Sequence, residues 1–281
     1  MKFGLSYNTG FAGTDPANLK AIARHADDLG FESFYVPEHV TLYPGARVGE
    51  VEFAPDLPIA DPLECLAFVA ASTTTILLGT GVLLLPFHHP VGLAKRLATI
   101  DVLSTGRMRL FTIGVPPGRG RRRRRLRDPG PPGRRGDRRP ARTLGGRRHR
   151  REFRRRVLPV RERNELSKAA ADAADPHVGA SSAAAARRAG RRGDGFFHGG
   201  RLTPAERLAQ IELMHTTALA EGRDPEVLEY TRWGSIDTER SGAEAYAAQD
   251  VDRLVVGTTS TDLNEQLRQL EAFATLHGLR R

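Results

Sequence analysis

The chain has 281 residues, 40% of them hydrophobic and only one a cysteine, Cys65, so it can bury a full core but has no disulfide framework. The net charge of +10 would suggest a nucleic-acid partner, yet 21 arginines and four acids lie between Pro116 and Arg163, which leaves about −7 for the rest of the chain. No apolar run reaches the length of about eighteen residues that spans a membrane, and no signal-like stretch follows Met1, so we expect a cytoplasmic protein without a membrane partner.

The first 115 residues alternate between strand-like and helix-like segments. The helix-like segments combine apolar residues at helical spacing with polar caps at their starts and glycines at two of their ends. The predicted strands are KFGLSY, FESFYVPEHV, TTILLGTGVLLLP and RMRLFTIGV, and the predicted helices cover residues 13–30, 61–73 and 89–106. Strands that are apolar on both faces favour a parallel sheet covered by helices.

The stretch HVGASSAAAARRAGRRGDGFFHGG, residues 177–200, predicts a strand, a turn, a helix and a second strand. The first strand turns at Gly179, and Ser181 or Ser182 caps the helix, whose free backbone N–H groups would suit a phosphate. The second strand ends in Gly199-Gly200, where a backbone can approach a ligand closely. An ordinary capped helix between two strands explains the same residues, because the motif is weak.

The same alternation continues to the C-terminus, with strands near 228–234 and 252–257 and helices near 204–221, 243–249 and 262–278. Four strands before the basic block and four after it make eight, which predicts a single α/β domain over residues 1–281 with the (β/α)8 TIM-barrel fold. In such a barrel the ligand lies at the carboxyl ends of the strands.

Four segments carry a resemblance to a known family. HADDLGFESFYVPEHV, ILLGTGVLLLPFHHPVGLAKRLATIDVLSTGRMRLFTIGV, HVGASSAAAARRAGRRGDGFF and DRLVVGTTSTD occur in order over most of the chain. Together they resemble the bacterial luciferase-like superfamily, in its branch of F420-dependent oxidoreductases. The resemblance implies a deazaflavin or flavin across the barrel mouth, with its phosphate held by Gly179, Ala180, Ser181, Gly199 and Gly200. Gly179-Ala180 stands where the family usually has two glycines.

The resemblance also implies a non-prolyl cis peptide against the cofactor ring, at about Gly81-Val82. A buried strand in which glycine permits close packing is the alternative.

His39 is the candidate acid-base residue, with Glu38 beside it to orient it or raise its pKa. The two could instead form a loop ion pair, because neighbours in a strand point to opposite faces. His88 and His89 precede Pro90 and could either cap the next helix or line the pocket. The spacing of Cys and His residues suggests no metal site, and no Ser-His-Asp set is apparent.

The resemblance implies an F420-dependent oxidoreductase that transfers hydride between the deazaflavin and a small organic substrate. Val-Pro-Glu-His and Thr-Gly-Val-Leu look more like the deazaflavin branch than the FMN monooxygenase branch, and an FMN-dependent monooxygenase is the alternative. The sequence leaves the substrate unassigned and allows a homodimer.

The basic block, at about residues 116–165, has two interpretations. It could be a disordered insert that binds nucleic acid through phosphate neutralisation. However, it contains no lysine, and its Arg, Pro, Gly and Ala are what a GC-rich gene encodes out of frame. Shifting Pro116 to Leu144 by one base permits LPGEAAVGVDFATRGRRADEAIDVLRALW, a capped amphipathic helix where the barrel needs one. We therefore interpret the block as an aberrant, frame-shifted segment, expect no specific nucleic-acid partner, and expect a chain that carries it to be impaired as an enzyme.

Overall fold

The computed structural model describes residues 1–40, 42, 44–45, 47–48, 51–113, 177–179, 181–199 and 202–280. The basic block at 116–165 lies outside these residues, as do Ala180 and Gly200. The hypotheses about these parts of the chain therefore remain predictions.

Twelve strands and eight α-helices are described within these ranges. The strands are β1 Lys2–Ser6, β2 Ser33–Val36, β3 Arg47–Val48, β4 Val51–Glu52, β5 Leu77–Thr80, β6 Leu83–Leu84, β7 Met108–Arg109, β8 Phe111–Ile113, β9 His177–Gly179, β10 Gly195–Phe197, β11 Glu229–Ser235 and β12 Arg253–Gly257. The helices are α1 Thr9–Ala12, α2 Pro16–Leu29, α3 Pro62–Ala70, α4 Pro90–Leu103, α5 Ala183–Arg192, α6 Pro204–Ala220, α7 Arg240–Ala247 and α8 Leu263–His277, with 3-10 turns at Leu85–Phe87 and Pro225–Val227.

Ten of the strands form one parallel sheet that curls on itself. Its order is β6-β8-β9-β10-β11-β12-β1-β2-β5-β7. β5 and β6 belong to one chain segment, and β7 and β8 to the next, so the order begins and ends on the same two segments. The fold is therefore α/β with a curled parallel sheet, as the alternation of segments predicted. β8 pairs directly with β9, so the chain re-enters the sheet in order after the basic block.

Two of the predicted strands are shorter and more broken than the sequence indicated. The segment TTILLGTGVLLLP pairs as β5 and β6, is interrupted between them, and then turns through Leu85–Phe87. The fourth predicted strand is divided at Leu110. Apolar composition marks a buried strand but carries no signal for where its hydrogen bonds stop.

The helices begin and end close to the predicted positions, because their caps are local. Asp15 accepts a hydrogen bond from the N–H of Asn18 at the start of α2, and Gly30 ends this helix with a φ of 85°. Thr203 and Glu206 form a reciprocal capping box at the start of α6. The unpredicted elements are short: α1 and the hairpin of β3 and β4. In the described part of the chain, no helix is both long and apolar enough to cross a membrane.

Ion pairs around the buried Arg253 join the amino ends of four strands. Arg253 donates to both carboxylate oxygens of Glu32, at 2.6 and 2.8 Å, and lies 2.8 Å from Glu229, which also pairs with Lys2. Burial raises the pKa of Glu229, but Arg253 and Lys2 together bring it down to about 2. The cluster links β1, β2, β11 and β12 at the end of the sheet opposite the predicted site. At that end, charged residues are expected to stabilise the fold rather than to bind a ligand.

Candidate functional site

The carboxyl ends of the parallel strands meet at one edge of the curled sheet, which we call the mouth. Tyr7, Glu38, Val82 and Ile113 lie at or just beyond the ends of strands in the first half of the chain. Gly179 and Ser235 end strands of the second half. This is the edge at which a (β/α)8 barrel binds its ligand.

The floor of the mouth is apolar and aromatic. Inside the curled sheet, Tyr35, Phe111 and Phe197 are fully or almost fully buried. Val82, Ile113 and Trp233 pack against this cluster and are only partly buried. The ring of Trp233 lies 5.1 Å from that of Phe197 and 6.1 Å from that of Phe111. Partly exposed apolar side chains above a solid aromatic core suit a flat ring system.

The peptide bond between Gly81 and Val82 is cis, as the family resemblance implied. A Cβ on Gly81 would lie 2.9 Å from the Cβ of Tyr35, so this glycine also allows close packing. The alternative of a plain buried strand is wrong, because Gly81 lies in the break between β5 and β6, although the close packing that it supposed is present. Val82 contributes its side chain to the floor.

Glu38 does not pair with its neighbour in sequence. Its buried carboxylate accepts a hydrogen bond from the N–H of Leu84 at 2.6 Å and lies 2.8 Å from Nε2 of His88. The backbone N–H of Glu38 donates to the carbonyl of Val82 at 3.1 Å. Glu38 therefore ties the end of β2 to the segment that follows the cis peptide.

His39 is half-buried and stands apart from these contacts. Its ring lies 5.5 Å from the ring of Phe53. Burial lowers the pKa of His39 because it disfavours the imidazolium, and the negative charge of Glu38 opposes this shift only in part. Glu38 thus acts on the pKa of His39 in the predicted direction, but burial outweighs it and the net shift is downward. A neutral imidazole at the mouth can accept a proton at neutral pH.

The two further histidines have different environments. His88 contacts the buried carboxylate of Glu38, and the hypothesis that it lines the pocket stays a prediction. His89 occupies the N-cap position of α4, but its side chain makes no capping hydrogen bond.

The predicted phosphate region is described at Gly179, Ser181 and Gly199. Ser182 rather than Ser181 caps α5, by accepting a hydrogen bond from the N–H of Ala185. Ser181 is exposed beside the helix N-terminus, where the first N–H groups have no helical partner. Gly179 is buried, and the ring of Phe197 fills the space that its side chain would need. Packing thus explains this glycine as fully as ligand approach does.

Gly199 follows a histidine that faces away from the mouth. Nδ1 of His198 lies 2.5 Å from the hydroxyl of Tyr230, a side chain buried in the core between the sheet and the helices α5 and α6. Burial, reinforced by the charges of Arg232 and Arg207, lowers the pKa of His198 to about 4. This neutral ring anchors the chain at the point where the half-buried Gly199 reaches the edge of the mouth.

Sequence reasoning missed two contributors to the site, Trp233 in the floor and Phe53 beside His39. It named His88 as a candidate but did not predict its contact with Glu38. The alternation of inward and outward residues along LEYTRWG could have placed Trp233 inside the sheet. Phe53 had no such signal, because it lies in an irregular segment rich in Pro and Gly.

Comparisons with known proteins relate part of this sequence to a described family. The model of the family described as luciferase-like monooxygenase matches residues 1–130. An uncharacterised protein of Mycobacterium tuberculosis is 40% identical over 140 residues, which cover 43% of this chain and 48% of the relative. Limonene 1,2-monooxygenase of Rhodococcus erythropolis is 39% identical over 97 residues, or 34% of this chain and 21% of the relative. The chain thus matches about half the length of the mycobacterial relative and less of the monooxygenase.

The fold has counterparts over nearly its whole length. The F420-dependent tetrahydromethanopterin reductase of Methanopyrus kandleri superimposes with a TM-score of 0.61 at 12% identity, covering 98% of this chain and 97% of that structure. At this identity the likeness concerns the fold alone. The sequence match thus relates residues 1–130, a little under half of the chain, to the luciferase-like monooxygenase family.

Proposed function

We propose that this protein is an F420-dependent oxidoreductase with a closed (β/α)8 barrel, which transfers hydride between the deazaflavin and a small organic substrate. The observation that carries the proposal is the mouth itself. An apolar floor of Val82, Ile113 and Trp233 lies at the same strand edge as the half-buried His39. A planar hydrophobic platform beside one group that exchanges protons is what hydride transfer from or to a ring cofactor requires.

The described residues fit the cofactor at both ends. The side chain of Val82 packs against the floor, where a ring can lie. Ser181 and the free N–H groups at the start of α5 provide donors for a phosphate. Gly179 and Gly199 would let the backbone approach, and we keep Ala180 and Gly200 in this role as predictions.

The bound deazaflavin would supply the hydride chemistry, and the protein would bind the cofactor and the substrate and transfer the proton. His39, held neutral by burial, would accept a proton at an imidazole nitrogen from a substrate hydroxyl, or return it to a carbonyl oxygen. The carboxylate of Glu38 is hydrogen-bonded to the N–H of Leu84 and to His88. We therefore assign Glu38 a positioning role, in which it holds the end of β2 against the segment after the cis peptide, rather than a role in proton transfer.

FMN-dependent monooxygenation is the second candidate. The match to limonene 1,2-monooxygenase supports it, because that relative is more than one third identical over 97 residues of this chain. The same floor and phosphate donors would accommodate a flavin, so cofactor choice separates the two candidates.

Titration of the frame-corrected protein with F420 and, separately, with FMN tests the proposal, with cofactor fluorescence as the readout. We expect saturable binding of F420 and weaker binding of FMN. A His39→Asn variant should bind F420 as the parent protein does but turn over about 10²-fold more slowly. Tight binding of FMN without binding of F420 would refute the cofactor assignment, and unchanged turnover of the variant would refute the role of His39.

A further inference from the structure

A cavity lies on the outer face of the curled sheet, away from the mouth. Its volume is about 130 Å³, and it is lined by residues of α6, of β11 and of the segment after α7: Pro204, Arg207, Leu208, Ile211, Tyr230 and Gln249. Tyr230 belongs to the core between the sheet and the helices, whereas Trp233 of the same strand packs inside the sheet. A cavity of about 150 Å³ can hold benzene, so this cavity can hold a molecule of about that size.

One side of the cavity offers a hydrocarbon surface. Pro204, Leu208 and Ile211 follow one another at helical spacing along α6, so they present one apolar stripe to the cavity. Ile211 is 8% exposed and Leu208 is 57% exposed. The apolar stripe therefore extends from the core to solvent, which gives a small molecule a way in.

The other side of the cavity is centred on the hydroxyl of Tyr230. Nδ1 of His198 lies 2.5 Å from this oxygen. Burial raises the pKa of the Tyr230 hydroxyl, and the charge of Arg232, a hydrogen bond from Arg232 and the charge of Arg207 oppose that rise. Burial and the same two charges hold His198 neutral. Two guanidinium groups therefore lie close to one buried hydroxyl that lines the cavity.

Neither arginine forms an ion pair with a carboxylate of the described residues. Arg207 donates a hydrogen bond to the carbonyl of Leu202. Cζ of Arg232 lies 5.1 Å from the centroid of the Tyr246 ring, and its Nη1 is buried and makes no hydrogen bond to a described residue. A buried charge without a partner is costly, so this region of the protein favours an anion.

We propose that this cavity binds a small monocarboxylate with a short hydrocarbon chain, at a site distinct from the mouth. The carboxylate of the ligand lies between Arg207 and the hydroxyl of Tyr230, and its chain lies on Leu208 and Ile211. Hydrogen bonds to an ionised acceptor are about twice as strong as neutral ones, so a carboxylate is held more tightly than an amide or an alcohol. A dicarboxylate would bring its second charge onto the apolar stripe, which is unfavourable.

Nuclear magnetic resonance of the full chain, labelled with ¹⁵N in its five tyrosines, tests the site with butyrate as the probe. The backbone N–H signal of Tyr230 reports the cavity and is assigned from its absence in Tyr230→Phe. Tyr35 lies inside the sheet and is the internal reference. We expect a saturable shift of the Tyr230 signal alone of these two. Butyramide, the uncharged analogue, should bind about tenfold more weakly, and acetate, which lacks two methylenes, about fifteenfold more weakly.

Two variants with matched controls locate the binding groups. Arg207→Gln should weaken butyrate binding at least about tenfold and change butyramide binding much less. Its control is Arg188→Gln, which removes the same charge from an exposed position on α5. Leu208→Gln should weaken butyrate binding by about threefold. Its control is Leu219→Gln, since Leu219 is 61% exposed on the same helix but does not line the cavity. Both controls should bind butyrate as the parent protein does.

Three results would overturn the site. These are equal binding of butyrate and butyramide, an equal loss of affinity in Arg207→Gln and Arg188→Gln, and a butyrate shift at Tyr35 without one at Tyr230. Arg207→Lys keeps the positive charge and should retain most of the affinity for butyrate, which separates a lost charge from a disturbed fold. Affinity as low in Arg207→Lys as in Arg207→Gln, with the dispersion of the tyrosine signals unchanged, would also refute the role of this charge.

Discussion

The contact between Glu38 and His88 gives the sharpest test of the site, because both side chains are largely buried, 7% and 14% exposed. The perturbation is Glu38→Gln, which keeps the shape of the side chain but removes its charge. The carboxylate takes part in two short hydrogen bonds, at 2.6 Å to the N–H of Leu84 and 2.8 Å to His88. A bond to a charged group contributes about 1.5–3 kcal/mol and a neutral one about 0.5–1.5 kcal/mol, so the variant should lose about 2 kcal/mol of stability.

A double-mutant cycle isolates the pair. Glu38→Gln, His88→Gln and the double variant are compared by urea denaturation at pH 7. We expect a coupling energy of about 1–2 kcal/mol, since the residues touch and are shielded from solvent. The matched control is the pair of Glu265 and Arg268, which are one turn apart on α8, 42% and 66% exposed, and 2.6 Å apart. Its coupling should be below about 0.5 kcal/mol. Equal coupling energies in the two pairs would refute a stabilising buried contact between Glu38 and His88.

Three further predictions concern the fold and the gene. Asp27 is buried, and burial by itself would raise the pKa of its carboxyl, but hydrogen bonds from the Thr75 hydroxyl and from the N–H groups of Thr74, Ile76 and Thr75 lower this pKa overall. The resulting stabilisation is present above the unfolded pKa of about 3.9 and is lost as pH falls through the lower folded value. In urea melts, Asp27→Asn should therefore cost about 2–4 kcal/mol at pH 7 and less at pH 3. Gly179→Ala should cost about 1–3 kcal/mol of stability, because the new Cβ would lie 2.0 Å from the ring of Phe197. Gly92→Ala is the control: it has open space around it in α4 and should stabilise the fold by about 0.5–1 kcal/mol. Equal effects of the two variants would contradict the close packing of Phe197 against Gly179. The nucleotides between the codons of Val115 and Ser167 should encode, one base over, a run close to LPGEAAVGVDFATRGRRADEAIDVLRALW. Stop codons in both alternative frames would disprove the frame slip.

Local chemistry allowed much of the fold to be predicted from the sequence. Helix ends at Asp15, Gly30 and Thr203 follow from caps whose partners lie within a few residues. The order of parallel strands follows from the alternation of segments, since a strand, a helix and the next parallel strand usually lie side by side. The cis bond at Gly81-Val82 was predicted because the family resemblance, not the residue pattern, marked it.

The contacts within the site could not be predicted in this way, because they join residues that are far apart in sequence. Adjacency suggested that Glu38 would serve His39, but in the tertiary structure its carboxylate lies against His88, fifty residues away. Phe53 reaches His39 from an irregular segment, and Trp233 reaches the floor from the other half of the chain. The sequence by itself determined which elements form and which strand ends carry polar groups, since these depend on short-range caps and periodicity. Only the tertiary structure decided which side chains meet, because the curling of the sheet brings distant strand ends to one mouth and burial there selects their partners.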